Sequence, residues 1–249
     1  MATRNPREVG RGLPPPIARK IAHGEWIRTA HGGVPAAAPA NTIRSLLAAL
    51  RLDVDLIEVD LRRSADGRLV LWHDSEIDGP DGKLAIGEHT FRDLSSALER
   101  SVGEPLADLA TAMRAVDGKA GLMIDLKEGG LDEPLTEALR RTSFAPVVVC
   151  GKFRESLVAI GRRHKEVGTS LTLDKAWRAG AERPLDQAGT GALTIAWQIA
   201  ESSFVEQCHA LGLAVFAWTV DDRASIRKLL AAGVDGITSN RPDLFPARS

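Results

Sequence analysis

An eight-stranded α/β barrel is the fold this chain predicts, and three observations carry the prediction. Its 249 residues suit a barrel domain, which typically runs to about 250. Apolar runs of strand length recur along the sequence, with amphipathic helical patterns between them. Several of these runs are almost continuously apolar, as parallel strands covered on both faces should be. Eight such strands favour closure into a (β/α)8 TIM barrel; an open doubly wound sheet is the alternative.

The elements follow in order. Residues 1–22 are polar and Pro-rich. They lack the apolar core of a signal peptide and read as a flexible tail on a cytoplasmic protein, leaving 23–249 as a single barrel domain. Strands are expected at Ile27–Ala30, Asp55–Leu61, Gly121–Leu126, Pro146–Cys150, Thr169–Leu173, Ala192–Trp197, Leu213–Trp218 and Gly236–Thr238. Helices are expected at Thr42–Leu50, Leu106–Val116, Leu131–Arg141, Glu155–His164, Ser202–Leu211 and Asp222–Ala232. Asn41 or Thr42 and Asp221 offer N-caps, and Gly212 and Gly233 offer C-terminal stops. Ser64-Ala65-Asp66-Gly67 carries the Asp-Gly pair of a tight turn. Arg68–Trp72 therefore returns as an antiparallel arm, because so short a gap excludes a parallel crossover. Residues 75–105 are polar and Gly-rich and read as a small insertion after that hairpin.

Composition excludes several classes. A net charge of −1 with scattered basic residues argues against a nucleic-acid surface. No apolar run reaches the roughly 20 residues of a membrane span. Cys150 and Cys208 stand alone in apolar contexts, which points to buried thiols and not to a disulfide or thiolate metal site.

The segment Leu56–Asp74 holds the densest chemistry. Glu58 and Asp60 lie two apart in an apolar strand, so they share one face while Ile57 and Val59 pack on the other. Paired carboxylates in apolar surroundings call for a positive partner, and a hard divalent cation such as Mg²⁺ or Ca²⁺ suits them. A wet strand face with an exposed acidic pair is the alternative. The hairpin returns His73 to the level of Glu58. Active sites of barrels lie at the C-terminal ends of the strands. Those ends carry His31, Glu58 and Asp60, Asp125 and Lys127, and further on Trp197 and Trp218. Three carboxylates can hold one cation, two imidazoles can move protons near neutral pH, and Lys127 can neutralise a phosphate.

In combination these motifs resemble the glycerophosphodiester phosphodiesterases, within the phospholipase-C-like barrel phosphodiesterases. The family's His-Arg-Gly and Pro-Glu-Asn-Thr, with the proline eight positions past the histidine, correspond to His31-Gly32-Gly33 and Pro39-Ala40-Asn41-Thr42. Its Ile-Glu-x-Asp corresponds to Ile57–Asp60, its Asp-Gly turn and His-Asp to Asp66-Gly67 and His73-Asp74, and its Glu-Ile-Lys to Asp125-Leu126-Lys127. Its Trp-Thr-Val-Asn and Gly-Val-Asp-Gly-Ile correspond to Trp218–Asp221 and Gly233–Ile237. The resemblance implies metal ligation by Glu58, Asp60 and Asp125, a catalytic pair in His31 and His73, and substrate contacts from Lys127 and Trp218. It implies a metal-dependent hydrolase of glycerophosphodiesters or a related phosphodiester, releasing an alcohol and a phosphomonoester such as glycerol 3-phosphate. The nucleophile is water or a neighbouring substrate hydroxyl, so a cyclic-phosphate-forming relative is one alternative. A non-catalytic barrel binding a phosphorylated metabolite is the other.

Three positions depart from the family pattern. Gly32 stands for arginine, Ala40 for glutamate, and Asp125 for a longer glutamate. Arginine is the strongest bidentate phosphate ligand, so its loss predicts a shifted substrate preference, with Lys152 as a candidate replacement cation.

Overall fold

The computed structural model describes residues 9–142, 144, 146–174 and 189–248. Eight parallel strands run in chain order around a closed ring: β1 Ile27–His31, β2 Leu56–Arg63, β6 Gly121–Leu126, β7 Val147–Gly151, β8 Gly168–Leu173, β9 Ala192–Ala196, β10 Ala214–Trp218 and β11 Gly236–Ser239. Closure is direct, because β1 pairs with both β2 and β11. All eight expected strands are present, and the barrel replaces the open-sheet alternative.

The ring follows from alternation within each strand. Ile57, Val59 and Leu61 of β2 face outward and join an apolar layer with Leu122, Ile124 and Leu126 of β6. Helices α2 Ile43–Ala49, α4 Leu109–Val116, α5 Asp132–Arg140 and α6 Arg154–Arg163 cover that arc. Helices α7 Ser202–Ala210 and α8 Arg223–Ala232 flank the later strands. The caps are local. The Thr42 hydroxyl accepts from the Ser45 amide at the start of α2. Asp222, and not the expected Asp221, caps α8 by accepting from Ala224 and Ser225. Asp221 is engaged elsewhere, as described below.

The expected tail needs correction. Residues Pro15–Ala22 form helix α1, with Pro15 at its first position, where a missing N–H costs nothing. Val9, Leu13, Ile17 and Ile21 are buried against Ile27, Leu56, Met123, Val148, Ala192, Ala214 and Phe216. Ile17 and Ile21 lie four apart on one face of α1, Val9 and Leu13 precede the helix, and all four pack against residues near the N-terminal ends of the strands. Residues 1–8 lie outside the described part.

The hairpin forms as expected. Short strand β3, Leu69–Leu71, pairs antiparallel with the end of β2, Leu61 opposite Leu71. Residues 75–105 then form a β-hairpin, β4 Glu76–Gly79 and β5 Gly82–Ala85, followed by helix α3, Phe91–Val102. This insertion has its own small core of Ile77, Ile86, Leu94, Ala97 and Leu98 against Val70. It stacks beside the barrel without entering it.

Candidate active site

Strand register builds the site. His31 lies opposite Glu58 across the β1–β2 pair, and Asp60 lies opposite Asp125 across β2–β6. Each therefore points into the barrel beside its neighbour. Here a cleft of about 370 Å³ opens, lined by His31, Glu58, His73, Asp125, Lys127 and Trp218 among others. Six of the eight expected site residues are thus named; Lys152 also lines the cleft, and Asp60 lies behind them, in contact with Lys127.

Glu58, Asp60 and Asp125 each present a carboxylate oxygen within 4.8 Å of the others. Glu58 and Asp60 are buried. Burial, then the charges of Asp60 and Asp125, push the Glu58 carboxyl well above the usual glutamate range. Burial also raises Asp125. Burial works against Asp60 ionising too, but Lys127 and Asn41 outweigh it and hold that carboxyl low. The Lys127 ammonium lies 2.6 Å from Asp125 and 2.9 Å from Asp60. Burial disfavours its charge, yet the two carboxylates prevail and raise its pKa.

One ammonium against three carboxylates leaves the cluster short of positive charge. Asp60 Oδ1 is buried and, despite the nearby ammonium, has no aligned hydrogen-bond donor among the described residues. An all-oxygen donor set with more carboxylates than cations, and a buried carboxylate oxygen with no aligned donor, fit a hard divalent cation.

Several positioning groups were not legible in the sequence. Asn41, read as a cap, has φ +64°. Its amide donates to Asp60 Oδ2 at 2.7 Å, and its Oδ1 accepts from the Asp60 amide at 3.0 Å. The Arg62 guanidinium donates twice to the His73 carbonyl, at 3.0 and 2.8 Å, and pairs with Glu128. Asn and Asp side chains commonly bond nearby backbone, which masks such roles in a sequence.

The two histidines differ. The His31 side chain is 33% exposed, with Nε2 3.8 Å from Glu58 Oε2 and Nδ1 2.7 Å from Asn240 Oδ1. The His73 side chain is 65% exposed and contacts its neighbour Asp74 at 2.8 Å. Lys152 Nζ is 2.7 Å from Asp174, so its charge is already engaged at the rim. Trp218 Nε1 and Thr172 Oγ1 are buried with no partner among the described residues, and both residues line the cleft. Cys150 and Cys208 are free and buried, as expected. Gly32 has φ +58°, and a Cβ there would lie 2.7 Å from the Cβ of Ala40. The family arginine is therefore sterically shut out of this loop conformation.

The sequence profile of the glycerophosphoryl diester phosphodiesterase family matches residues 31–244. A glycerophosphodiester phosphodiesterase of Caldanaerobacter subterraneus subsp. tengcongensis is 26% identical over 230 residues, 86% of this chain and 93% of the relative. The fold superposes on an Oleispira antarctica phosphodiesterase in complex with the product sn-glycerol-3-phosphate, with TM-score 0.76 and 24% identity over 87% of this chain and 93% of that one. A Parabacteroides distasonis glycerophosphodiester phosphodiesterase gives TM-score 0.72 and 25% identity over the same shares, 87% and 93%.

Proposed function

From the premise that the chain belongs to the glycerophosphoryl diester phosphodiesterase family, we propose that it hydrolyses glycerophosphodiesters at the cleft described above. The observation that carries the reading is the convergence of three carboxylates and one ammonium in a cleft that two histidines also line. Glu58, Asp60 and Asp125 hold a divalent cation, Mg²⁺ or Ca²⁺, which when bound supplies Lewis-acid stabilisation of phosphate charge.

The chain's own residues supply the rest. Lys127, fixed by two carboxylates, faces the phosphate with a held charge and so needs no reorganisation as the transition state forms. Of His31 and His73, one removes the proton of the attacking oxygen and the other protonates the departing alcohol oxygen. Trp218 walls the alcohol side and offers its indole N–H to a substrate oxygen. Burying that N–H without a partner costs about 1–3 kcal/mol, a cost that a bound oxygen removes. Lys152 lies at the rim, where its pairing with Asp174 limits it to an outer contact.

Small phosphodiesters are the substrate class; a near-neutral net charge supports no nucleic-acid partner. No helix among the described residues is long and apolar enough to cross a membrane. Two buried, unbonded thiols support a reducing, cytoplasmic location. The test is a panel of glycerophosphodiesters and lysophospholipids assayed with Mg²⁺, Ca²⁺ or EDTA. Release of glycerol 3-phosphate that EDTA abolishes and a divalent cation restores is the expected result. No turnover of any diester under any metal would leave the non-catalytic barrel as the better reading.

A further inference from the structure

We propose that Asp221 and Asn240 are positioning residues that fix the tautomer of His31, holding the proton on Nδ1 and the lone pair on Nε2, and so make His31 the proton acceptor of the pair. The inference rests on the reading of His31 as a proton-transfer group.

The Asp221 carboxylate can only accept hydrogen bonds. Asp221 collects three donors: the Asn240 amide N–H on Oδ1 at 2.8 Å, the Ser239 hydroxyl on Oδ1 at 3.0 Å and the Asn240 side-chain Nδ2 on Oδ2 at 2.8 Å. The last contact removes the usual ambiguity of an Asn side chain, since exchanging its O and N would set oxygen against carboxylate oxygen. Oδ1 of Asn240 is thereby directed at His31 Nδ1, 2.7 Å away. An amide oxygen only accepts, so Nδ1 must be the donor. A neutral imidazole with its proton on Nδ1 carries its free lone pair on Nε2. Nε2 is the nitrogen nearer the carboxylates, 3.8 Å from Glu58 Oε2, and His31 lines the cleft.

Among the described residues the His73 ring meets the carboxylate of Asp74, the next residue, and both side chains are largely exposed. That carboxylate also only accepts, but the pair lies on the surface, whereas the Asn240 oxygen that faces the less exposed His31 ring is itself directed by Asp221. The barrel thus presets the His31 lone pair for acceptance of the first proton, which leaves donation to the leaving alcohol to His73. The relay crosses three elements: β1 supplies His31, the end of β11 leads into Asn240, and the loop after β10 supplies Asp221. It explains why Asp221 does not cap α8.

The relay makes a directional prediction. In Asp221→Asn, the new Oδ1 keeps the Asn240 and Ser239 donors, so its NH₂ occupies the former Oδ2 place. Asn240 must then turn its oxygen toward residue 221 and its NH₂ toward His31, which forces Nδ1 to accept and moves the proton to Nε2. Adding Asn240→Asp to that variant restores an acceptor facing Nδ1.

The experiment is long-range proton–nitrogen NMR on ¹⁵N-histidine-labelled full-length protein, with the His31 signals assigned by their loss in His31→Gln. The expected wild-type result is a protonated Nδ1 and a pyridine-like Nε2. Asp221→Asn should invert this pattern and lower kcat by about 10–100-fold, with KM little changed. Asp221→Asn with Asn240→Asp should restore both the pattern and most of kcat. Asp221→Ala, on an exposed loop, is the second variant, with folding checked by thermal melt; it should mix the two tautomers. An Nε2-protonated ring in the wild type overturns the proposal. So does an unchanged ring pattern in both Asp221 variants. Full activity of His31→Gln beside a locked wild-type tautomer would instead sink the catalytic reading of His31, and the NMR signal keeps the two failures distinct.

Discussion

The two arcs of the barrel mouth do different work. The arc from β1 through β6 carries His31, Glu58, Asp60, Asp125 and Lys127, a dense set of titratable groups of which Glu58 and Asp60 are buried and the others half-buried. The opposite arc, from β8 through β11, lines the cleft with Thr172, Thr194, Trp218 and Thr238, which carry no charge. Charged chemistry sits where strand register forces side chains together. The neutral arc gives shape and a few hydrogen-bonding atoms, two of them unpartnered among the described residues. The difference separates what a phosphodiesterase must do to any phosphate from what it does to a particular alcohol. Changes on the first arc should therefore affect kcat across all substrates, and changes to the four side chains that line the second should affect KM and selectivity; Asp221 and Asn240, which act through His31, belong with the first.

The largest test is removal of either imidazole. His31→Ala and His73→Ala should each lower kcat by about 10²–10⁴-fold on every substrate, the usual contribution of a general acid or base. His73 sharpens the comparison, since it belongs to neither arc and reaches the cleft from the hairpin. Its backbone is held by Arg62, so Arg62→Ala should resemble a milder His73→Ala in steady-state kinetics. Near wild-type turnover in either histidine variant would remove that residue from the mechanism.

The next test concerns charge balance on the acidic arc. Glu58 has its carboxyl raised by burial and by Asp60 and Asp125. A raised carboxyl stabilises the fold below its unfolded value, and that stability is lost as pH climbs toward the folded value. A bound cation needs the ionised form, so its binding expels a proton and strengthens with pH. Asp60, whose carboxyl is held low, acts oppositely and loses its contribution only in acid. The thermal-melt gain from millimolar Mg²⁺ or Ca²⁺ should therefore be larger near pH 8 than near pH 5.5, and Glu58→Gln should abolish it. An equal gain at both pH values, or one surviving in Glu58→Gln, would remove Glu58 from the cation site.

How much of this could be read from the sequence depends on range. The eight strands were legible because parallel strands covered on both faces leave short, near-continuous apolar runs separated by helical patterns. Glu58 and Asp60 were legible because they share one strand. Ile17 and Ile21 had helical spacing, but three prolines and flanking charges obscured a helix that packs beneath the barrel. The link from His31 to Asn240 spans 209 positions, and no local pattern announces it. The approach of Gly32 to Ala40 depends on a left-handed backbone, which glycine permits but does not reveal.

A smaller effect is expected on the neutral arc. Trp218→Phe keeps the ring wall and deletes the unpartnered Nε1–H. If that group donates to the alcohol side of the substrate, kcat/KM should fall by about fivefold, mostly through KM, as befits one hydrogen bond of about 1 kcal/mol. The loss should vary across a panel of head groups, unlike the uniform losses above. A uniform fall in kcat would place Trp218 with the acidic arc and break the division.

The smallest effect on turnover is expected at Gly32, where the acidic arc acts through shape and not charge. Its amide donates to the Glu58 carbonyl at 3.0 Å and to Glu58 Oε2 at 3.1 Å. Its carbonyl accepts from the Asn41 amide at 3.0 Å and the Ser45 hydroxyl at 2.8 Å. The loop is thus bolted to a candidate metal ligand and to the residue that orients Asp60. Restoring the family arginine and glutamate at positions 32 and 40 looks from sequence like a way to regain phosphate binding. The geometry predicts otherwise, because both replacements carry a Cβ and those atoms would meet at 2.7 Å. A side chain at a positive φ adds about 1–2 kcal/mol of strain. Gly32→Arg with Ala40→Glu should lower the melting temperature and leave kcat/KM for glycerophosphocholine no higher than wild type. Gly32→Ala with Ala40→Gly separates the two causes: it removes the collision and keeps the backbone strain, so it should recover only part of the stability lost in Gly32→Ala. If the arginine–glutamate pair instead raises kcat/KM about tenfold with no loss of melting temperature, the loop can adopt a second conformation, and charge, not shape, governs this corner of the site.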